Sequence, residues 1–152
     1  MQKYILSLLL IVSFGTLKAQ QIQERNSLDA NDIEVWVKDV KLSVKSDTAI
    51  VQINLQSYLK NPREFRLNTF ASGLVNGGVK PLWYDTMSMG NVIIKFADKQ
   101  NYLNYLLTRD EEVMLTIKTP NWKKQWGNPK QLKLTFEDHN EEGKFLEYLI
   151  DL

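Results

Sequence analysis

The chain has 152 residues, 43% of them hydrophobic and 24% charged, with a formal net charge of +1. Those values exclude a disordered tail and leave room for one domain with a core of its own, but not for two ordinary domains. The absence of cysteine excludes disulfides, thiolate catalysis, thiolate-bound zinc and a lipid anchor on cysteine.

Residues 1–19 come first. Lys3 supplies a positive start, residues 4–14 form an apolar run, Gly15 and Thr16 break it, and Ala19 is a small residue at a cleavage position. This is the three-part layout of a secretory signal peptide. The run is shorter than the roughly 20 apolar residues that span a bilayer. Cleavage is expected after Ala19, leaving no transmembrane segment. It removes Lys3 and Lys18 and no acid, so the charge goes from +1 to −1. A near-neutral exported domain has no field to gather nucleic acid. The expected location is periplasmic or extracellular, and export without disulfides suits a bacterial envelope.

Residues 20–32 are polar without a repeating apolar face and read as a flexible leader. A single β-rich domain is expected over residues 33–152. Ile33, Val35 and Val37 alternate with polar neighbours. The phase then slips, because Val40, Leu42 and Val44 continue one residue out of step. A one-residue slip inverts the faces of a strand, so Lys38-Asp39 is predicted to be a bulge or tight turn. After a turn at Ser46-Asp47, Ala49, Val51, Ile53 and Leu55 alternate again and complete a hairpin.

Lys60-Asn61-Pro62 ends that pair. Residues 65–70 read as a strand and Asn76-Gly77-Gly78 as a turn. Residues 79–84 read as a short edge strand, because Pro81 lacks an N–H. Residues 85–91, with Met87 and Met89, read as a loop, and residues 92–96 as a buried strand. Residues 98–108 break the β pattern. Tyr102, Leu103, Tyr105, Leu106 and Leu107 recur at three- and four-residue spacing behind a possible N-cap, Asp98, and predict a short helix. Val113, Leu115 and Ile117 mark a strand, residues 119–129 a loop with Pro120 and Pro129 at its ends, and Leu132, Leu134 and Phe136 another strand. A polar turn at 138–143 precedes residues 145–150, which suit a closing strand or a helical turn.

About eight or nine short strands with one short helix predict a mainly β fold, an antiparallel β-sandwich of Ig-like architecture. A small outer-membrane β-barrel is the alternative. It would need strands of about 9–11 residues and an apolar outer band, whereas the outward positions here are Lys, Gln, Asn and Ser. The expected core is Val35, Val37, Val40, Leu42 and Val44; Val51, Ile53 and Leu55; Phe65 and Leu67; Ile94 and Phe96; Leu106; Val113, Leu115 and Ile117; Leu134 and Phe136.

Little in the chain carries chemistry. His139 is the only histidine. It sits in a turn signal, and acids beside it in sequence do not make a triad. The carboxylate runs Asp110-Glu111-Glu112, Glu137-Asp138 and Glu141-Glu142 fall at strand ends, and none has a calcium-loop spacing. Neither a metal nor a cofactor is expected. Gly77-Gly78 lacks the Gly-Lys-Ser/Thr that a phosphate loop requires.

Aromatic residues are the strongest functional signal. Trp122 and Trp126 lie in the proline-bounded loop with Lys123, Lys124 and Lys130. Trp83 and Tyr84 lie beside another loop. Exposed indoles bury much area at little entropic cost and suit partner contact. The opposing reading is that they fold back to cap an open end of the sandwich. The functional expectation is an exported, non-catalytic binding or assembly module of the bacterial cell envelope that recognises a protein or glycan. Partner contact is assigned to Trp122, Trp126, Lys123, Lys124, Trp83 and Tyr84. A hydrolase working through acids alone is the competing expectation. It needs two facing carboxylates, one with its pKa raised by burial.

Overall fold

A computed structural model describes residues 27–43, 45 and 47–152. The expected export signal, the first part of the expected leader and the core position expected at Val44 lie outside the described residues. Among the described residues eleven strands form two antiparallel sheets, a β-sandwich. The first sheet runs in the order β1 (Ser27–Ala30), β2 (Ile33–Ser43), β3 (Thr48–Ser57), β9 (Glu112–Thr119), β6 (Thr86–Met89), β7 (Val92–Lys95). The second runs β11 (Phe145–Asp151), β10 (Gln131–Glu137), β4 (Arg63–Asn68), β8 (Tyr102–Leu107), with β5 (Gly73–Val75) also on β10. Among the described residues no strand pairing joins one sheet to the other, so these residues do not form the closed barrel of the alternative. No helix among the described residues is long and apolar enough to cross a membrane.

The phase slip is a bulge. Val37 faces Ile53 and Asp39 faces Gln52, which leaves Lys38 unpaired and returns Val40 to the inner face. β3 then lies between β2 and β9, and Val51, Ile53, Leu55, Leu115 and Ile117 become fully buried. Phe65, Leu67, Leu134 and Phe136 close the core from the other sheet. Val37, Val40, Leu42 and Phe96 are only partly buried.

Four expectations need correction. Residues 98–108 hold no helix. A single 3-10 turn, Phe96–Asp98, leads into strand β8, whose six residues all pair with β4. Leu103 and Leu107 also recur at even spacing, and a neighbour with free hydrogen bonds decides between the two periods. Leu106 therefore points outward, 59% exposed, and leaves the core. Met87 and Met89 belong to strand β6, not a loop, and both are fully buried. The Thr-Met-Ser-Met alternation was present, but Met and Ser are weak strand signals. Residues 79–84 are not a strand, since only Leu82 makes a backbone bond to β5. Ser27–Ala30, placed in the leader by sequence, is an edge strand joined to β2 by Asn31-Asp32. Both turn residues have positive φ, as the favoured two-residue hairpin turn requires.

One end of the sandwich is closed by a polar lock. Arg63, 2% exposed, donates to both the backbone and side-chain oxygens of Asn31. The Asn31 amide donates to Asp138 Oδ1 at 3.0 Å, and the His139 N–H donates to Asn31 Oδ1 at 2.9 Å. Asp138 also accepts from the Asn140 N–H and pairs with Lys144. Burial lowers the Arg63 pKa, while Asp32 and Asp138 pull it back up. A buried guanidinium is tolerated only with such partners.

Candidate functional site

A groove opens where the chain leaves β4. Asn68 Oδ1 accepts from the N–H groups of Phe70 and Ala71 at 3.1 and 3.0 Å, an Asx turn that leaves Phe70 exposed. Thr69 is held inside by its N–H to Asn101 O and its hydroxyl to Gln100 O. Ser72 Oγ accepts from the Thr135 N–H at 2.9 Å, and the Thr135 hydroxyl donates to Ala71 O. The chain thus stays on β10 across the interruption and resumes as β5.

After the turn at Asn76-Gly77-Gly78 the chain doubles back, with the Leu82 N–H on Leu74 O at 2.8 Å. Gly73 permits this crossing. Its φ is +149°, and a Cβ there would lie 3.0 Å from Leu82 O and 3.2 Å from Pro81 Cβ. Asp85 then joins the other sheet through Lys118 O, and its own carbonyl accepts from Phe96 N–H. The turn behind Phe96 is fixed by Asp98 Oδ2, which accepts from Lys95 N–H at 2.9 Å.

These constraints gather three aromatic rings around Phe96. Trp83 meets it edge-to-face at 4.8 Å between centroids, Tyr84 at 5.6 Å and Phe70 at 6.0 Å. Such tilted contacts suit the ring quadrupoles. The resulting groove has a volume of about 520 Å³ and is walled also by Val79, Pro81 and Leu82, within the usual range for ligand sites. Trp83 is 68% exposed, and Phe70 and Val79 also remain exposed, whereas Tyr84 is buried and its hydroxyl has no partner among the described residues. Lys80 and Lys133 supply the positive charge, and Lys133 is already paired with Glu147 at 2.9 Å.

The other tryptophan-bearing loop is built differently. Trp122 N–H donates to Asp47 O, and its indole N–H donates to Gly127 O at 2.8 Å, inside its own loop. Trp122 is 3% exposed and belongs to the core. Trp126 stands edge-to-face on it at 5.3 Å, half-buried, with the Lys123 ammonium 5.4 Å from its ring, a cation–π distance. Lys124 is exposed and lines a separate cleft with Trp122 and Asp47. The outward pair of indoles imagined from sequence does not form, because one of them satisfies its N–H and buries its rings as a plug.

The acids stay apart. Glu137 accepts from Arg66 and Gly143 N–H, Asp110 pairs with Arg109, and Glu111 accepts from Thr108. Asp138 has its pKa lowered, chiefly by the Asn140 N–H and then by the Asn31 amide and Lys144. A general acid needs the opposite shift. His139 is exposed in the turn. No grouping of three or more His, Asp or Glu among the described residues could hold a metal ion.

Of the six residues nominated from sequence, the structure brings Trp83 and Tyr84 into the groove and gathers Trp122, Trp126, Lys123 and Lys124 around the plug. Sequence reasoning missed Phe70, Phe96, Lys80 and Lys133. For Phe70 and Phe96 a signal existed in the turn formers Asn68 and Asp98 beside them, but neither reveals that two loops distant in the chain share a ring cluster. Comparison with family models, curated proteins and solved structures finds no match for this chain.

Proposed function

We propose that the protein is an exported, non-catalytic binding module of the bacterial cell envelope, and that it holds a partner in the groove around Phe96. The observation that carries this reading is Trp83, an indole 68% exposed yet fixed edge-on against Phe96. A rigid exposed aromatic beside an apolar cleft is the usual make-up of a binding hot spot. The lining favours an apolar or aromatic side chain of a protein partner over a glycan. Sugar hydroxyls need many hydrogen-bonding groups, and here the Thr69 hydroxyl and the Lys133 ammonium are already engaged. Export rests on the pattern in residues 1–19.

The test uses protein recovered from a secreting host. Its intact mass should begin at Gln20. Envelope proteins and envelope glycans are then passed separately over immobilised wild type and Trp83→Ala. The reading expects retention by wild type and loss in the variant, with an unchanged melting temperature. A full-length cytoplasmic product would refute export, and equal retention by the two proteins would refute the groove.

A further inference from the structure

Among the described residues, the β11 edge of the second sheet is unpaired and carries only two charges, Glu147 and Asp151, as protection. The edge strands β1 and β7 have four residues each, and β7 lies against β8 where the sheets meet. β11 has seven residues, paired with β10 without a break in register, and contains no Lys, Pro or Gly. Short length, bulges, proline and lysine are the devices that keep sheet edges from pairing.

The hydrogen-bond phase of this edge is fixed. Leu152 N–H donates to Lys130 O, and Lys144 O accepts from Asp138 N–H. Even-numbered residues of β11 therefore bond to β10. By alternation, the N–H and C=O groups of Phe145, Glu147, Leu149 and Asp151 point away from the sheet. On the core side, Tyr148 stacks on Phe136 at 5.3 Å and Ile150 is buried, while Leu149 on the outer face is 56% exposed.

We infer that β11 pairs antiparallel with β11 of a second copy of this chain, about a two-fold axis through Tyr148. A continuous sheet must match odd residues with odd residues, since a one-residue shift inverts the faces. An axis at Glu147 would set that carboxylate against its own copy, and an axis at Leu149 would set Glu147 against Asp151. Like charges directly opposite repel. With the axis at Tyr148, Glu147 faces Leu149, Phe145 faces Asp151, and no acid faces an acid. All seven residues pair, and the four residues with outward-pointing backbone groups meet one another. The two Leu149 side chains become diagonal neighbours, and the two Tyr148 rings extend the Phe136 stack from core to core. In this register each acid lies opposite an apolar residue supplied by the identical strand, a match that one edge makes with itself.

Sedimentation equilibrium of the processed protein should show a dimer. Leu149→Glu places a carboxylate opposite Glu147 twice in each dimer and should raise its dissociation constant about tenfold or more. Leu149→Lys, at the same exposed position, places an ammonium there and should keep or tighten the dimer. Tyr148→Cys introduces the only thiol and should cross-link the copies on oxidation, since directly opposed Cα atoms across a non-hydrogen-bonded pair lie about 4.5 Å apart. A wild type that stays monomeric overturns the inference. So does a dimer indifferent to the sign of charge at position 149. The Leu149 pair decides even if Tyr148→Cys fails to fold.

Discussion

Trp122 and Trp83 are both tryptophans in loops beside a lysine or a proline, and the fold uses them in opposite ways. Trp122 turns inward, donates its indole N–H to Gly127 O and seals the core. Trp83 finds its ring partner in Phe96, which stays near the surface, and so remains exposed. The difference lies in what each loop offers the indole. A loop that curls over a carbonyl can bury a tryptophan with its N–H satisfied. A loop that lies across a ring cluster holds it by one edge and leaves the rest to solvent. Loop composition alone does not separate the two outcomes.

The sharpest way to break this comparison is to truncate the plug. Trp122→Ala should cost about 3–5 kcal/mol, as for a buried large aromatic, and lower the melting temperature accordingly. A melting curve identical to wild type would show that Trp122 is not a plug. Gly73→Ala should come next. It adds a Cβ within 3.0 Å of Leu82 O at a positive φ, so about 1–3 kcal/mol of strain is expected. Because Leu82 and Pro81 wall the groove, the substitution should also weaken partner retention. A stable variant with full retention would mean that the crossing does not shape the groove.

Acid should separate the fold from the groove. The folded pKa of Asp138 is depressed. Its contribution to stability is therefore complete above the ordinary carboxylate range, about 3.9, and is lost as pH falls through the folded value. The groove lining contains no carboxylate, so binding should persist until the domain unfolds. Chemical denaturation from pH 6 down to about 3, repeated with Asp138→Asn, checks this. The variant should show a flatter acid dependence. Trp83→Ala is the smallest effect on the fold, within about 0.5 kcal/mol for an exposed site, and the largest on retention.

The β2–β3 hairpin was legible in detail, including the bulge at Lys38, because one face of each strand is buried and the period cannot be mistaken. It was least legible where a second element decides. Residues 102–107 carry both a helical and a strand period, and pairing with β4 selects the strand. Met87 and Met89 show a weak alternation that gains meaning only between β9 and β7. The groove was half-legible. Trp83 and Tyr84 stand out as adjacent aromatics, but Phe70 and Phe96 reach them only through the crossing at Gly73 and the Asx turn at Asn68. The core residues Val35, Val51, Ile53, Leu55 and Val113 were readable because burial on a strand is a property of spacing.

The lock of Arg63, Asn31 and Asp138 joins the first hairpin turn to the last, Asn31 and Asp138 being 107 residues apart in sequence. Contacts of such separation form late, after the loop between them has closed. A chain made from its N-terminus presents Asn31 and Arg63 well before Asp138 exists. Until then Arg63 has Asn31 and Asp32 beside it, but the link from Asn31 to the last hairpin is missing. The lock therefore ties closure of this end of the sandwich to the final hairpin, because one of its three members stands there.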